Sequence, residues 1–258
     1  MSRALIFDCD GVLGDTEQHG HLPAFNQMWS DLGVPWRWSV EEYGRKLKIG
    51  GGKERMSSLF AEPEFLAVFN PPAFDQERKD MVALWHKRKS AIYQELIRAG
   101  KIPPRSGVKR ISEEALAKGW LLAVASTSAP DSVEAVLRRA MGEETAAKFL
   151  LLGGDVVKRK KPAPDIYLLA AEKLGVSPAD CVVVEDSGNG VEAAAAASMK
   201  CVVTVSGYTR DEDFSKASIV LSCLGDPAGE SCQVLVNRSA AAPGAWFTVN
   251  DLEAVLAS

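Results

Sequence analysis

Five short apolar runs lie at 4–7, 121–125, 149–152, 181–184 and 201–205, broken only by Thr204 in the last. From residue 105 onward, helical patterns over 108–118, 131–140, 164–174 and 191–199 alternate with them. This alternation constrains the fold more than any other feature of the chain. A run that is apolar at every position has no polar face, so it suits a strand buried on both sides, as in a parallel sheet covered by helices. Strand and helix in turn, joined by right-handed crossovers, give an α/β architecture: a Rossmann-like parallel sheet sandwiched by helices.

The residues between the first two runs differ in character. Helical patterns cover 20–32, 39–47, 53–60 and 76–99, and no run of comparable strength interrupts them. They read as an α-helical cap inserted at 18–97, with the core formed by 1–17 and 98–258. The turn-rich IPPRSG at 102–107 returns the chain to the sheet. An alanine run at 193–197 marks a helix packed close to the sheet. The tail at 225–244, rich in Gly, Ser, Pro and Ala, takes no assignment, and 230–246 matches no pattern.

Composition narrows the function classes. The chain has 258 residues, 47% hydrophobic and 25% charged, with a net charge of -4. That length buries a sizeable core. No apolar stretch reaches the roughly 20 residues that span a bilayer. The acidic balance argues against nucleic acid as a partner, because phosphate contacts need a basic excess. Five cysteines are scattered without a CxxC pair, and with three histidines they assemble no zinc site. Free thiols in a reducing compartment are expected. The first strand begins at once, with no signal-peptide pattern before it.

Chemistry gathers where the strands end. The first run leads into LIFDCDGVLGDTE, and residues i and i+2 of an extended segment share one side. Asp8 and Asp10 therefore face one space at the carboxyl end of the strand, where open α/β sheets place their ligands. Two carboxylates held together call for a cation or a proton; a solvated turn is the other reading of an isolated DxD. The second run ends in Ser126, Thr127 and Ser128, hydroxyls that suit a phosphate cradle or an ordinary helix cap. After the third run comes KRKKPAPDIY, in which Pro162 and Pro164 stiffen the approach and aim Lys161, while Lys158, Arg159 and Lys160 read as a surface run. The fourth ends in VVVEDSGNG, with Glu185 and Asp186 at its tip. Together these groups compose a metal-assisted phosphoryl-transfer site. Mg²⁺ takes few protein carboxylates and fills its shell with water or phosphate oxygens. Asp8, the Asp10 carbonyl and Asp186 supply the protein's share, with Glu185 direct or behind them. Lys161 and the Ser126 hydroxyl take the remaining phosphate charge.

DCDGVLGDTE, Ser126, Lys161 in KPAPDIY and VVEDSGNG resemble, in order and spacing, the four motifs of the haloacid dehalogenase superfamily. The resemblance spans nearly the whole chain. It implies a Rossmann-like core with an α-helical cap of the type in β-phosphoglucomutase and phosphoglycolate phosphatase. It also implies Asp8 as nucleophile and Asp10 as general acid and base.

The cap narrows the substrate. In LKIGGGKERM, Gly50, Gly51 and Gly52 precede Lys53 and Arg55, a loop that brings backbone close to an anion or simply turns between helices. HKRKSAIY carries Lys87, Arg88 and Lys89, of which Lys89 resembles a cap residue that binds a distal phosphate in β-phosphoglucomutase. A second cationic cluster favours a bisphosphate. GGGKERM and GYTRDEDF are similar to the CbbY-like proteins of plants and algae, xylulose-1,5-bisphosphate phosphatases that remove an inhibitor of Rubisco. That resemblance places Glu17 and His21 at the substrate, with Tyr43 lining the sugar; a structural histidine is the alternative for His21. It further implies the chloroplast stroma, with the transit peptide absent from this chain, or otherwise the cytoplasm; a monomer is expected. The rivals are a phosphomutase of the β-phosphoglucomutase type and a non-catalytic phosphosugar sensor.

Overall fold

The computed structural model describes residues 2–49 and 51–258. Strand β1 (Ala4–Phe7) is buried at every position, as a run without a polar face requires. The chain then builds five helices: α1 (Leu22–Asp31), α2 (Val40–Lys46), α3 (Gly52–Ser58), α4 (Pro63–Val68) and α5 (Asp75–Arg98). Beyond them come α6 (Val108–Ala117), β2 (Leu121–Ala125), α7 (Pro130–Met141), α8 (Glu143–Ala146) and β3 (Phe149–Leu152). The last part holds α9 (Asp165–Leu174), β4 (Cys181–Glu185), α10 (Gly188–Ala196), β5 (Lys200–Thr204), β6 (Ile219–Leu221), β7 (Val234–Asn237) and α11 (Val249–Leu256). Two compact units result: Met1–Asp15 with Pro103–Ser258, and Thr16–Ile102.

In the first unit the strands form one sheet in the order β3-β2-β1-β4-β5-β6-β7. All pairs are parallel except β6 with β7. The order reverses at β1, so the carboxyl ends of β1, β2 and β4 open onto the crevice where such sheets bind ligands. Ile6, Ala123, Val183 and Val203 pack with Ile166, Tyr167, Ala193 and Ala194 in one core. The alanines of α10 let that helix lie close to the strands. The two points where the chain leaves and re-enters this unit are tied together: Asp15 N–H donates to Pro103 O at 3.2 Å, and Arg105 N–H to Leu13 O at 3.0 Å.

The second unit is helical around an aromatic cluster. Phe25, Trp29 and Trp38 are fully buried, with ring centroids 4.6 Å apart between Trp29 and Trp38 and 5.1 Å between Phe25 and Trp38. Edge-on ring pairs of this kind add to simple area burial. Helix α2 starts at a capping box, the Ser39 side chain accepting from Glu42 N–H while Glu42 reaches back to Ser39. A π-helical turn at Glu17–His21 leads directly into α1. Gly50 lies outside the described residues.

The tail that carried no sequence signal holds β7, with β6 just before it and α11 just after. Strand β6 has three residues, and all four residues of β7 are exposed. An edge strand without a buried face shows no alternation to read.

Candidate active site

Asp8 follows β1, and its backbone N–H donates to Val184 O at 2.9 Å. That bond continues the ladder with β4 and holds Asp8 beside the tip where Glu185 and Asp186 emerge. Gly11 has φ +78°, and a Cβ there would stand 2.1 Å from Asp186 Oδ2. Only glycine lets this turn pass so close to the carboxylate. Gly190, in the first turn of α10, plays the same part for Glu185, whose Cδ lies 1.8 Å from where a Cβ would be. The Ser187 side chain caps that helix by accepting from Gly190 N–H at 3.2 Å.

Lys161 sits between two carboxylates, its Nζ 2.6 Å from Asp8 Oδ1 and 2.7 Å from Glu185 Oε1. It also donates to Ala125 O at 3.2 Å and lies 4.7 Å above the Tyr167 ring. Glu185 is wholly buried, and its two oxygens accept five hydrogen bonds. The donors are Lys161, the Tyr167 hydroxyl, the backbone N–H groups of Asp186 and Ser187, and the Ser187 hydroxyl. A carboxylate so committed has little lone-pair capacity left.

The electrostatics follow from burial. Burial raises the Asp8 carboxyl to about 7, Lys161 opposing and Glu185 and Asp10 reinforcing the rise. Burial likewise holds Asp186 well above the ordinary carboxylate range, with the charges of Glu185 and Asp8 adding to it. Burial also works against the ionised form of Glu185, but Lys161 outweighs it and keeps this acid below its usual value. For Lys161 the cost of burial is exceeded by Asp8 and Glu185, which hold it above its ordinary value. The cluster therefore carries one lysine against three carboxylates. Ligand oxygens of Asp8, Glu185 and Asp186 all lie within 4.8 Å of one another. Buried, oxygen-rich and short of positive charge, this donor set fits a hard divalent cation.

The hydroxyls divide. Ser126 is buried, its N–H bonded to Leu152 O at 3.0 Å and its Oγ accepting from Ser128 N–H at 3.1 Å. The Ser128 hydroxyl donates to Asp10 Oδ2. Thr127 is exposed. The structure thus brings together Asp8, Lys161, Glu185 and Asp186, and separately joins Ser128 to Asp10.

Within the helical unit, the Tyr43 hydroxyl donates to Glu17 and accepts from Arg55 Nη1 at 3.2 Å. Arg55 Nη1 lies 4.0 Å from Glu17 Oε2, and Arg55 Nε bonds Ile49 O at 2.9 Å. Lys89, buried on α5, places Nζ 2.7 Å from His21 Nδ1, with the rings of Phe25 and Tyr93 4.8 and 5.0 Å away. His21 stacks on Tyr93 at 4.1 Å. Gly51 adopts φ +96° at the start of α3, Gly52 follows it, and Lys53 and Lys87 are exposed. Arg88 instead pairs with Asp31.

Sequence reasoning passed over four groups. Tyr167 stands under Lys161 and bonds Glu185; it was quoted in KPAPDIY, but only packing reveals where its hydroxyl goes. The Ser206 hydroxyl and the charge of Arg105 both act on Asp186. His86 lies near Lys89 and Lys53, and burial, with those two cations, lowers its pKa. No spacing in the sequence marks any of them.

Comparison with known proteins places the chain. Residues 2–198 match the haloacid dehalogenase-like hydrolases. A CBBY-like protein of Arabidopsis thaliana is 48% identical over 233 residues, which cover 89% of this chain and 72% of that protein. The crystal structure of a CbbY variant from Rhodobacter sphaeroides in complex with xylulose-(1,5)bisphosphate aligns with TM-score 0.75 and 37% identity, covering 88% of this chain and 98% of the other. A putative β-phosphoglucomutase from Thermotoga maritima aligns at TM-score 0.60 and 29% identity, over 80% and 87% of the two chains. With the acidic cluster at the carboxyl ends of β1 and β4, these likenesses make the chain a member of the haloacid dehalogenase-like hydrolases, a phosphatase of the CbbY type.

Proposed function

We propose that this protein hydrolyses xylulose 1,5-bisphosphate to xylulose 5-phosphate and phosphate, with Mg²⁺ as cofactor. The observation that carries the reading is the likeness, over 88% of the chain, to a CbbY that holds this bisphosphate. The cationic residues of the helical unit support a substrate with a second phosphate. The protein works as a monomer in the chloroplast stroma, removing an inhibitor of Rubisco; the 48% identical relative from Arabidopsis thaliana supports a plant enzyme.

Asp8 is the nucleophile. Its carboxylate oxygen attacks phosphorus and displaces the sugar oxygen, which takes a proton from Asp10. Water then attacks the aspartyl phosphate and gives its proton to Asp10, releasing phosphate and restoring Asp8. Ser128 orients Asp10 through its hydrogen bond. Lys161 and Ser126 balance the charge of the phosphoryl oxygens, with Thr127 and Ser128 completing the cradle. Asp8, the Asp10 carbonyl and Asp186 would hold Mg²⁺, which when bound would supply countercharge to the phosphate and to the crowded carboxylates. Glu185, its oxygens already occupied, acts behind them by fixing Lys161.

The second phosphate is assigned to Lys89, His21, Lys53 and the backbone of Gly51 and Gly52. Glu17, held by Tyr43 and Arg55, reads the sugar hydroxyls. The test is phosphate release with Mg²⁺ and with chelator, using Asp8→Asn as the blank. Release that survives chelation, or an Asp8→Asn protein at the wild-type rate, refutes the mechanism. The likeness to a β-phosphoglucomutase favours phosphomutase as the second reading, and product analysis separates the two. Free phosphate means hydrolysis; phosphate moved between sugar positions means a mutase.

A further inference from the structure

We propose that Cys223 and Cys232 form a cross-strand dithiol that closes to a disulfide when it meets a small-molecule or protein disulfide. Leu221 faces Val234 across the antiparallel pair of β6 and β7, after an irregularity between Val220 and Leu221. Ser222 N–H donates to Gln233 O at 2.9 Å, carrying the same register one residue further. Beyond the end of the strands, where Gln233 N–H turns to the Ser222 hydroxyl at 3.0 Å, the same count continued one step sets Cys223 opposite Cys232.

Residues directly opposite in an antiparallel ladder have Cα atoms about 4.5–5.5 Å apart, and their side chains leave on one face. A disulfide needs Cα atoms roughly 4.4–6.8 Å apart. The sulfur of Cys223 lies 3.6 Å from Ser231 O, the carbonyl of the peptide leading into Cys232. The Cys223 thiol also contributes to the shift that, mainly through burial, pushes Cys232 up to about 11. The pair is held firmly: Arg110 donates to Leu224 O and Gly225 O inside the hairpin, and Cys232 N–H donates to Ala245 O at 2.7 Å.

The other three cysteines have no such arrangement. Cys201 faces Val183 rather than Cys181 across β4 and β5, and Cys9 lies at the end of β1. All five thiols are free in this structure.

The reaction is a thiol–disulfide exchange. The thiolate of Cys232, the more accessible of the two, attacks one sulfur of the oxidant and expels a thiol, leaving a mixed disulfide. Cys223 thiolate then attacks the Cys232 sulfur and expels the second thiol. Two protons and two electrons leave the pair, and the oxidant is reduced to two thiols. Burial raises both thiols, so the exchange is slow at neutral pH, where little thiolate is present.

The experiment uses the full chain incubated with oxidised glutathione, quenched with acid, unfolded, alkylated and digested with trypsin. Residues 217–238 form one tryptic peptide containing both cysteines. The expected result is a peptide that takes no alkylating group and is lighter by two hydrogens, reverting on addition of dithiothreitol, while Cys9, Cys181 and Cys201 remain alkylated. Cys223→Ser and Cys232→Ser each stop at a single mixed disulfide or a single alkylated thiol, and their thermal transitions show that they fold. Two alkylated cysteines after prolonged oxidation, or a peptide carrying two glutathiones, overturns the proposal. So does a bond joining either cysteine to one of the other three.

Discussion

Lys161→Met tests the charge balance of the site. Lys161 is nearly buried, its side chain 11% exposed, and each of its two carboxylate contacts, at 2.6 and 2.7 Å, is worth about 6 kcal/mol gross at an effective dielectric near 20. Desolvation of the ammonium offsets several kcal/mol of that. Methionine keeps the length of the chain but leaves Asp8, Glu185 and Asp186 without their cation. Breaking a buried pair by removing one partner costs roughly 3–5 kcal/mol, so at pH 7 in chelator the variant melts about 8–16 °C lower for a loss near 4 kcal/mol. The assay is thermal and urea unfolding followed by circular dichroism. Glu185 has a depressed folded pKa, so its stabilising share is present above the unfolded carboxylate value, about 4.3, and is lost as pH falls through the folded value. The deficit of Lys161→Met therefore shrinks toward acid, as the crowded carboxylates take protons. Millimolar Mg²⁺ narrows it at pH 7 by supplying the missing charge. A deficit below about 1 kcal/mol in chelator at pH 7, or one that grows toward acid, refutes the reasoning.

Asp8→Asn gives the opposite pH signature. The Asp8 carboxyl is raised to about 7, so in chelator its contribution to stability is fully present below the unfolded value near 4 and declines as pH rises to 7. The asparagine variant gains on the wild type across that window by about 4 kcal/mol, measured by urea unfolding; a flat difference contradicts the raised value. Tyr167→Phe removes the hydroxyl that donates to buried Glu185 and costs about 2 kcal/mol of stability; a loss under 0.5 kcal/mol shows that the bond adds little. Gly190→Ala forces a methyl into Glu185 and destabilises by about 3 kcal/mol with loss of phosphate release; wild-type stability denies the close approach. Tyr43→Phe releases Glu17 and Arg55 from their shared hydroxyl and raises KM for the bisphosphate about tenfold, with kcat nearly unchanged. An unchanged KM removes Tyr43 from the sugar site.

Legibility in the sequence follows burial. Strands β1, β2 and β4 run through buried apolar residues, as does the middle of β5, and that pattern survives without coordinates. The polar residues closing β1, β2 and β4 were legible for the same reason, since they interrupt runs that otherwise exclude polar groups. Asp8, Glu185 and Asp186 come together because parallel β1 and β4 end at one level, and Lys161 reaches them from the loop after β3. Tyr167 was not legible: its hydroxyl meets Glu185 through helix-on-sheet packing that no local spacing encodes. Strand β7 escaped because an exposed edge needs no apolar face, and β6 because three residues show no period. Helix α10 begins at Gly188 rather than at 191, since the Ser187 cap and the small Gly190 carry its first turn up to Glu185. Substrate identity lies furthest from the residues. Lys89, His21 and Arg55 stand out in a sequence as charged or polar groups, while a sugar's configuration is read by distances a sequence does not display.

The most direct measurement is phosphate release with Mg²⁺ from xylulose 1,5-bisphosphate and ribulose 1,5-bisphosphate side by side, with Asp8→Asn as the blank. The two sugars differ in the configuration of one hydroxyl. The account predicts strong preference for the xylulose compound and no release above background from Asp8→Asn. Comparable release from both contradicts it, leaving a phosphatase whose helical unit binds a second phosphate without reading the sugar.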